Sequence, residues 1–454
     1  MTKLDRTKPP QAGPITQIAF PKYITTKTSS GTPLYLVENH EQPLVSVSLY
    51  LRSGSVLDIP GKEGVASLAA ELLTKGTLSR SATRIAEEID FVGGSLGASA
   101  SSDSTTISTS VLTRYLPTAL DLLADVTLNP AYANEELDRA KLQRIAGIMQ
   151  AKSDPGYLSE TMFSKKVFDT HPYGLESGGT ENSIPKLDAS ALKKYYFSIS
   201  SPGDAFFIVA GDVSESEILR MLGERFGLWN NFSVTTPAFA MPSDLKTRSV
   251  LLVEKPQAVQ SAIRVGHLGI ARNHHDYIAC YVLNMLLGGY FNSRINLNLR
   301  EKHGFTYGAR SFFDARKQTG AFAVSTEVRT DVTARAVEEI INELVLIRKE
   351  PVSADELTMV KNYIIGSFPL SIETPQQVAS RIATLALYGL SPDYYDRFRD
   401  TVAALSSEDL LHTAETYLRP DSVTISASGD AKALEKDMKA FGAVEMFDQN
   451  FKKV

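Results

Sequence analysis

The sequence predicts an α+β protein in which one unit is used twice: two homologous domains, each an antiparallel-rich sheet packed with helices. Three observations predict it. Stretches of strict apolar–polar alternation, such as LVSVSLYLR at Leu44 to Arg52, mark half-buried strands. Helical stretches bounded by Gly, Pro and capping residues lie between them. The order of elements then restarts near Arg248, with local matches at nearly constant separation. Ala210-Gly211-Asp212 answers Ser428-Gly429-Asp430, Glu136-Leu137 answers Glu356-Leu357, and Gly97-Ala98 answers Gly308-Ala309.

Taken in order, residues 1–15 are polar and Pro-rich and predict a disordered arm. The first domain is expected over 16–230. It opens with a hairpin from Tyr23 to Glu38, turning near Ser29-Ser30-Gly31, followed by the strand at Leu44 to Arg52. Gly61 to Gly76 predicts a helix with Gly at both ends, and Ser81 to Val92 a second, stopped by Gly93-Gly94. Ser95 to Leu112 alternates and predicts two strands about Ser102-Asp103. Leu116 to Thr127 and Glu135 to Lys152 are helical, the latter ending before Asp154-Pro155. A Gly- and Pro-rich loop covers His171 to Gly179. A short helix at Ala189 to Tyr196, a buried strand at Ala205 to Ala210 and a helix at Ser214 to Phe226 follow, the last opened by a capping box of Ser214 and Glu217. A polar, Pro-containing linker over 231–247 leads to the second domain, 248–454. Its length suits two lobes that move, or two that are simply stacked. The second domain repeats the scheme. Strands are expected at Ser249 to Glu254, Ser261 to Leu268, Phe305 to Phe313, Gly320 to Val328 and Ser422 to Ser428. Helices are expected at Asp276 to Leu287, Arg294 to Lys302 and Ala334 to Arg348. Others follow from a Ser353/Glu356 capping box and at Ser406 to Tyr417 and Ala431 to Phe441.

Composition excludes several classes. The chain has 454 residues, 43% hydrophobic and 22% charged, with a net charge of −5 and no Lys/Arg-rich run, which argues against a nucleic-acid partner. A single cysteine, Cys280, permits no intrachain disulfide and fits a reducing compartment. No apolar run is long enough for a membrane span. A cytoplasmic location is expected, or a periplasmic one if a signal peptide precedes the sequence.

One stretch stands out for chemistry: NSRINLNLREKHGFTYG, Asn292 to Gly308. A helix broken at Gly304 and followed by a strand would place Arg300 and Tyr307 at one corner. An Arg fork and a phenol together suit a peptide carbonyl or the oxyanion formed on its attack. By themselves, an Arg and a Tyr seven residues apart fit structural roles as well.

The layout and three motifs resemble the M16 (pitrilysin-like) zinc peptidases in their short form, which includes the mitochondrial processing peptidases, the core proteins of respiratory complex III and small bacterial peptidases. The motifs are GVASLAAELLTKGT at Gly64 to Thr77, the long helix ending at Asp154-Pro155, and LLGGYFNSR with NLREKHGFTYG. The resemblance implies two LuxS/metallohydrolase-like domains. It also implies a His-x-x-Glu-His zinc motif on the helix after the first strands, where one turn sets two imidazoles on one face. Here that motif is degenerate. Ser67 stands at the first His, Ala70 at the Glu and Glu71 at the second His, while the third-ligand position falls on Gly147. Glu71 alone remains as a carboxylate, of the kind usually solvated on a helix. None of the seven histidines completes such a motif, and His274-His275-Asp276 is read as a helix N-terminus.

The second half of the family's active centre is retained. The resemblance implies that Tyr307 bonds the tetrahedral oxyanion and Arg300 holds the substrate backbone. The expected function is therefore a catalytically incomplete subunit: no metal in this chain, Zn²⁺ in a partner carrying His-x-x-Glu-His, and an unfolded peptide as substrate. The two chains would form a heterodimer, with a homodimer open to the isolated chain. The competing expectation is a non-enzymatic scaffold of the complex III core type. A self-sufficient zinc peptidase would need a zinc site that the sequence lacks.

Overall fold

The computed structural model describes residues 18–454, so the predicted arm lies outside the described residues. The first lobe runs β1 (Ile24–Lys27), β2 (Pro33–Glu38), β3 (Leu44–Leu51), α1 (Val65–Leu72), α2 (Ala82–Phe91), β4 (Ser95–Ala100), β5 (Thr105–Leu112), α3 (Leu116–Leu128), α4 (Asn134–Ala151), α5 (Pro155–Phe168), α6 (Ala189–Ile199), β6 (Ala205–Gly211) and α7 (Glu215–Phe226). Residues 231–247 form neither helix nor strand. The second lobe runs β7 (Ser249–Glu254), β8 (Gln260–Gly269), α8 (Tyr277–Asn284), α9 (Arg294–Asn296), β9 (Ala309–Ala315), β10 (Gly320–Arg329), α10 (Thr333–Leu346), α11 (Ala354–Ser367), α12 (Pro375–Tyr388), α13 (Tyr394–Ala404), α14 (Ser407–Tyr417), β11 (Thr424–Gly429), α15 (Ala431–Met438) and β12 (Ala443–Phe447).

The sheets share one plan. The orders are β1-β2-β6-β3-β5-β4 and β12-β7-β11-β8-β10-β9. In each, a parallel pair at the matching position (β2 with β6, β7 with β11) adjoins antiparallel strands, so the sheets are mixed and antiparallel-rich. Only the outer edge differs: β1 pairs antiparallel, β12 parallel. The duplication is thus carried into the strand order. Following the registers from Gly211 and Gly429 across the two sheets makes Leu96, not Ala98, the counterpart of Ala309. The Gly97-Ala98 match with Gly308-Ala309 is therefore out of register.

Alternation explains how both faces of each sheet are used. In β6, Ala205, Phe207 and Val209 join the core under the lobe's own helices, whereas Phe206, Ile208 and Ala210 face the other way. That second face is covered by the opposite lobe: Val378, Ile382 and Leu385 of α12 pack on Phe206 and Ile208. The exchange is reciprocal. Leu158 and Met162 of α5 pack on Leu251 and Val253 of β7, and Phe163 and Val167 pack on Ala321 and Ala323 of β10. A strand buried on both faces reads as a continuous apolar run, as AFFIVAG does. Each lobe lends a helix to the other's sheet, so the lobes interlock, and the linker is not their only connection. Unfolding is accordingly expected as one cooperative transition. Ile382→Ala, at a fully buried position of α12, should lower stability by about 2–5 kcal/mol without splitting that transition, read by urea denaturation followed by circular dichroism.

Two local expectations need correction. Ser214 precedes α7, but its side chain makes no cap bond and its Oγ lies 3.4 Å from Ser216 Oγ, so the expected capping box is not formed. The Ser353/Glu356 box is formed. Residues 305–308 are not strand; β9 starts at Ala309, because Phe305 N–H is drawn back to Leu299 O at 2.8 Å. No helix of the described residues is long and apolar enough to cross a membrane.

Candidate functional site: a vacated metal centre and an exposed tyrosine

Helix α1 enters from a tight turn. Asp58 accepts the Gly64 N–H at 2.7 Å and the Ala66 N–H at 3.1 Å, satisfying donors that the helix start leaves free. Gly64 has φ +89°, and a Cβ there would stand 2.8 Å from Gly179 Cα, so the turn requires glycine. Burial raises the Asp58 carboxyl to about 7, the two N–H bonds offsetting only part of it. Between about pH 4 and 7 the folded state therefore binds a proton the unfolded chain has released, and stability falls as pH rises through that window. Asp58→Asn should remove this component, on the order of a few kcal/mol, from the pH dependence of the urea midpoint.

The apolar face of α1, with Val65, Ala66, Leu68, Ala69 and Leu72, is buried in the lobe core. Ser67 and Glu71, one turn apart, share the remaining face. Ala70 is buried, so the position of the family's general base points into packing. Between Ser67 and Glu71 lies the guanidinium of Arg144, from α4. Its Nη1 donates to Ser67 Oγ at 2.8 Å and to Gly178 O at 3.3 Å, and its Nη2 pairs with Glu71. Glu71 is thus the partner of a cation and not a freely solvated carboxylate. Gly147, one turn beyond Arg144 on α4, is exposed, with open space where a Cβ would be.

This donor set does not fit zinc. The two side chains at the histidine positions are a hydroxyl and a carboxylate, both already engaged by one guanidinium. That guanidinium presents only N–H donors and offers no coordination position. A cation tethered to α4 bridges the two side chains that stand where the resemblance implies histidine ligands. The arrangement can bind and orient polar groups; it cannot acidify a water. A cavity of about 600 Å³ opens beside it, lined by Glu71, Arg144, Tyr157, Glu160, Tyr173 and Arg316. Arg144 was not legible as a site residue. Its one signal is the helical spacing of three from Gly147, which puts it on the same face of α4.

In the second lobe, the stretch carrying Arg300 is braced at several points. Arg294 clamps Glu356 bidentately at 2.8 and 2.9 Å. Asn296 bonds Phe291 O at 2.6 Å and accepts the Ala309 N–H at 3.0 Å. Asn298 donates to Glu339 and Glu343 at 2.9 and 2.7 Å. Residues Leu297–Lys302 form a π-helical turn, a geometry frequent at functional sites. Gly304, at φ +63°, then reverses the chain.

Tyr307 follows on a loop tied from both sides. Gly308 N–H bonds Thr306 Oγ1 at 3.1 Å, and Thr326 Oγ1 bonds Gly308 O at 3.0 Å. The tie leaves the Tyr307 side chain 96% exposed, with no hydrogen-bond partner for its hydroxyl among the described residues. Tyr307 lines an open groove of about 660 Å³ together with Glu160, Arg264, Phe312 and Glu327. Arg300 is not part of that lining. Its guanidinium lies 4.5 Å over the Phe291 ring, Nε is 3.5 Å from Glu301, and Nη1 is buried without a partner among the described residues. Glu160 of α5, bonded by Arg264 at 2.7 Å, borders both this groove and the cavity beside Arg144. The helix lent across the lobes therefore stands between the vacated metal centre and the exposed phenol.

His274, His275 and Asp276 precede α8 as expected. Their ligand atoms lie within 4.8 Å of one another, but Asp276 is already bonded by the Tyr417 hydroxyl and His274 Nδ1 by the Asp276 N–H at 3.2 Å.

Comparison with known proteins agrees with this geometry. Residues 34–181 match the model of the insulinase-type M16 peptidase domain, and residues 186–364 match the model described as the M16 peptidase inactive domain. Among relatives, a Bacillus subtilis (strain 168) protein named as an uncharacterized zinc protease, YmxG, is 25% identical over 78% of this chain and 85% of its own length. A Helicobacter pylori protein named non-peptidase homolog YmxG is 23% identical over 88% and 92%. Among solved structures, an M16 inactive-domain protein from Pseudomonas fluorescens superposes with a TM-score of 0.82 at 26% identity, covering 90% of this chain and 98% of that one. The chain therefore belongs to the M16 peptidase family, as a member whose own catalytic zinc motif is incomplete.

Proposed function

We propose that this chain is the non-zinc subunit of a heterodimeric M16 peptidase, and that it supplies Tyr307 and Arg300 to a zinc site on a partner carrying His-x-x-Glu-His. The observation that carries the reading is the pairing of two opposite features. The chain's own metal position is filled by Arg144, while Tyr307 is held out to solvent on a braced loop with its hydroxyl free. Without a metal or a general base, the chain alone has no acidified water. In the pair, the Tyr307 phenol would donate to the developing oxyanion. Arg300, whose Nη1 has no partner, would turn from Phe291 to grip the substrate backbone. An unfolded peptide would add as a strand to a sheet edge of the partner.

The second reading is a non-enzymatic scaffold, and the name of the Helicobacter pylori relative, a non-peptidase homolog, favours it. Mixing the purified chain with a His-x-x-Glu-His family member and following size-exclusion chromatography with light scattering tests the first. A one-to-one complex that cleaves unfolded peptides faster than the zinc chain alone is expected. A complex that forms with no gain in cleavage favours the scaffold.

A further inference from the structure

Helices α8, α11, α12 and α13 enclose a small cavity of about 120 Å³ that shares no lining residue with either cavity described above. It lies where α12, the helix lent to the first lobe, meets the helices of its own. Two guanidiniums face it, those of Arg272 and Arg381. Arg272 is only 9% exposed, with its guanidinium 3.8 Å over the Tyr277 ring and 5.2 Å from the Tyr394 ring centre. Its side chain makes one hydrogen bond, from Nη1 to the Tyr394 hydroxyl at 3.3 Å. Arg381 lies 5.5 Å over the Tyr395 ring. Neither arginine forms an ion pair among the described residues. Tyr395, 3% exposed, also lines the cavity, and its hydroxyl is buried with no partner among the described residues.

A buried guanidinium normally sits against a carboxylate, because desolvating an unpaired charge is costly. Aromatic faces offset part of that cost, on the order of 0.5–2 kcal/mol each, but leave the N–H fork unfilled. Here a second cation faces the same space, which adds charge repulsion unless an anion is present. The volume corresponds to roughly four water molecules at about 30 Å³ each, room for a carboxylate or phosphate group with little attached.

We propose that this cavity is a binding site for a small oxyanion, with the Arg272 and Arg381 guanidiniums as its charge partners and the Tyr395 hydroxyl as a third donor. Charge-assisted bonds to an oxyanion would satisfy all three groups at once. The site joins α12 to α8 and α13, so occupancy would also stabilise the interlocked lobes by mass action.

Titration calorimetry of the full chain with inorganic phosphate, acetate and the neutral acetamide, at constant ionic strength set by chloride, tests the proposal. Saturable one-to-one binding of phosphate or acetate, and none of acetamide, is expected; which anion binds identifies a phosphoryl or a carboxylate ligand. Arg381→Met should weaken that binding about tenfold or more, the loss of one charge-assisted contact. Tyr395→Phe removes only an unpaired hydroxyl, so the variant should fold as well as the parent and bind several-fold more weakly. It keeps the test decisive if Arg381→Met proves unstable. Binding of neither anion by the folded parent, equal binding of acetamide, or anion binding unchanged in Tyr395→Phe and in any folded Arg381→Met overturns the proposal.

Discussion

Tyr307→Phe, in the reconstituted pair with a zinc-motif partner, is expected to lower turnover on the order of a hundredfold while leaving the complex intact. The substitution deletes one hydroxyl from a side chain that is 96% exposed and bonded to nothing among the described residues, so no folding energy is lost with it. An oxyanion donor acts where charge develops, in a site from which water is excluded, and its removal raises the barrier more than it weakens substrate binding. The loss should therefore appear in kcat, with KM little changed. Complex formation measured by light scattering serves as the control. Unchanged turnover would remove the reason for holding a phenol on a loop braced by Thr306 and Thr326, and would favour the scaffold reading.

The second large effect concerns the vacated centre. Ser67→His, Glu71→His and Gly147→Glu together restore two imidazoles one turn apart on α1 and a carboxylate on α4. In that triple variant Arg144 still places a positive charge among the ligands, and zinc uptake is expected to stay far below one equivalent. Adding Arg144→Ala removes the competing cation, and zinc content should rise to about one per chain, measured by elemental analysis after dialysis. The open space at Gly147 and the half-exposed face holding Ser67 and Glu71 leave room for the new side chains. Ala70 is left unchanged, since it is buried and is not a ligand position. Equal uptake with and without Arg144 would mean that the guanidinium is a bystander.

Much of this was legible in the sequence where the pattern is local. Strands such as β3 and β5 alternate because one face meets the core and the other is less buried. The duplication was legible because β6 and β11 both end in Gly-Asp ahead of a helix, although the turns differ: Gly211 has φ +128° and the next helix starts at Glu215, whereas after Gly429 it starts at Ala431. Helices α5, α12 and α13 were not. α5 begins with Asp154-Pro155, which reads as a stop, although Pro is well placed at the first helical position, and Asp154 caps it by accepting the Gly156 N–H at 2.8 Å. Its apolar residues are spread over more than one face because it packs on the other lobe's sheet, a partner no local window contains. The degenerate positions Ser67, Ala70, Glu71 and Gly147 were readable as losses. The compensating gain, Arg144, depends on a contact between α1 and α4 that only the fold supplies. Likewise the sequence placed Arg300 and Tyr307 at one corner, but the side chain of Arg300 is turned onto Phe291, a residue nine positions earlier across the α9 turn.

On the proposed function, this chain has no cleavage centre of its own, because a guanidinium bridges the two side chains at the histidine positions of its zinc motif. Assaying the isolated, pure chain for zinc and for hydrolysis of unfolded peptides, with and without a chelator, tests it most directly. No stoichiometric zinc and no chelator-sensitive cleavage are expected; about one zinc per chain, with peptide hydrolysis that a chelator stops, would overturn the proposed function.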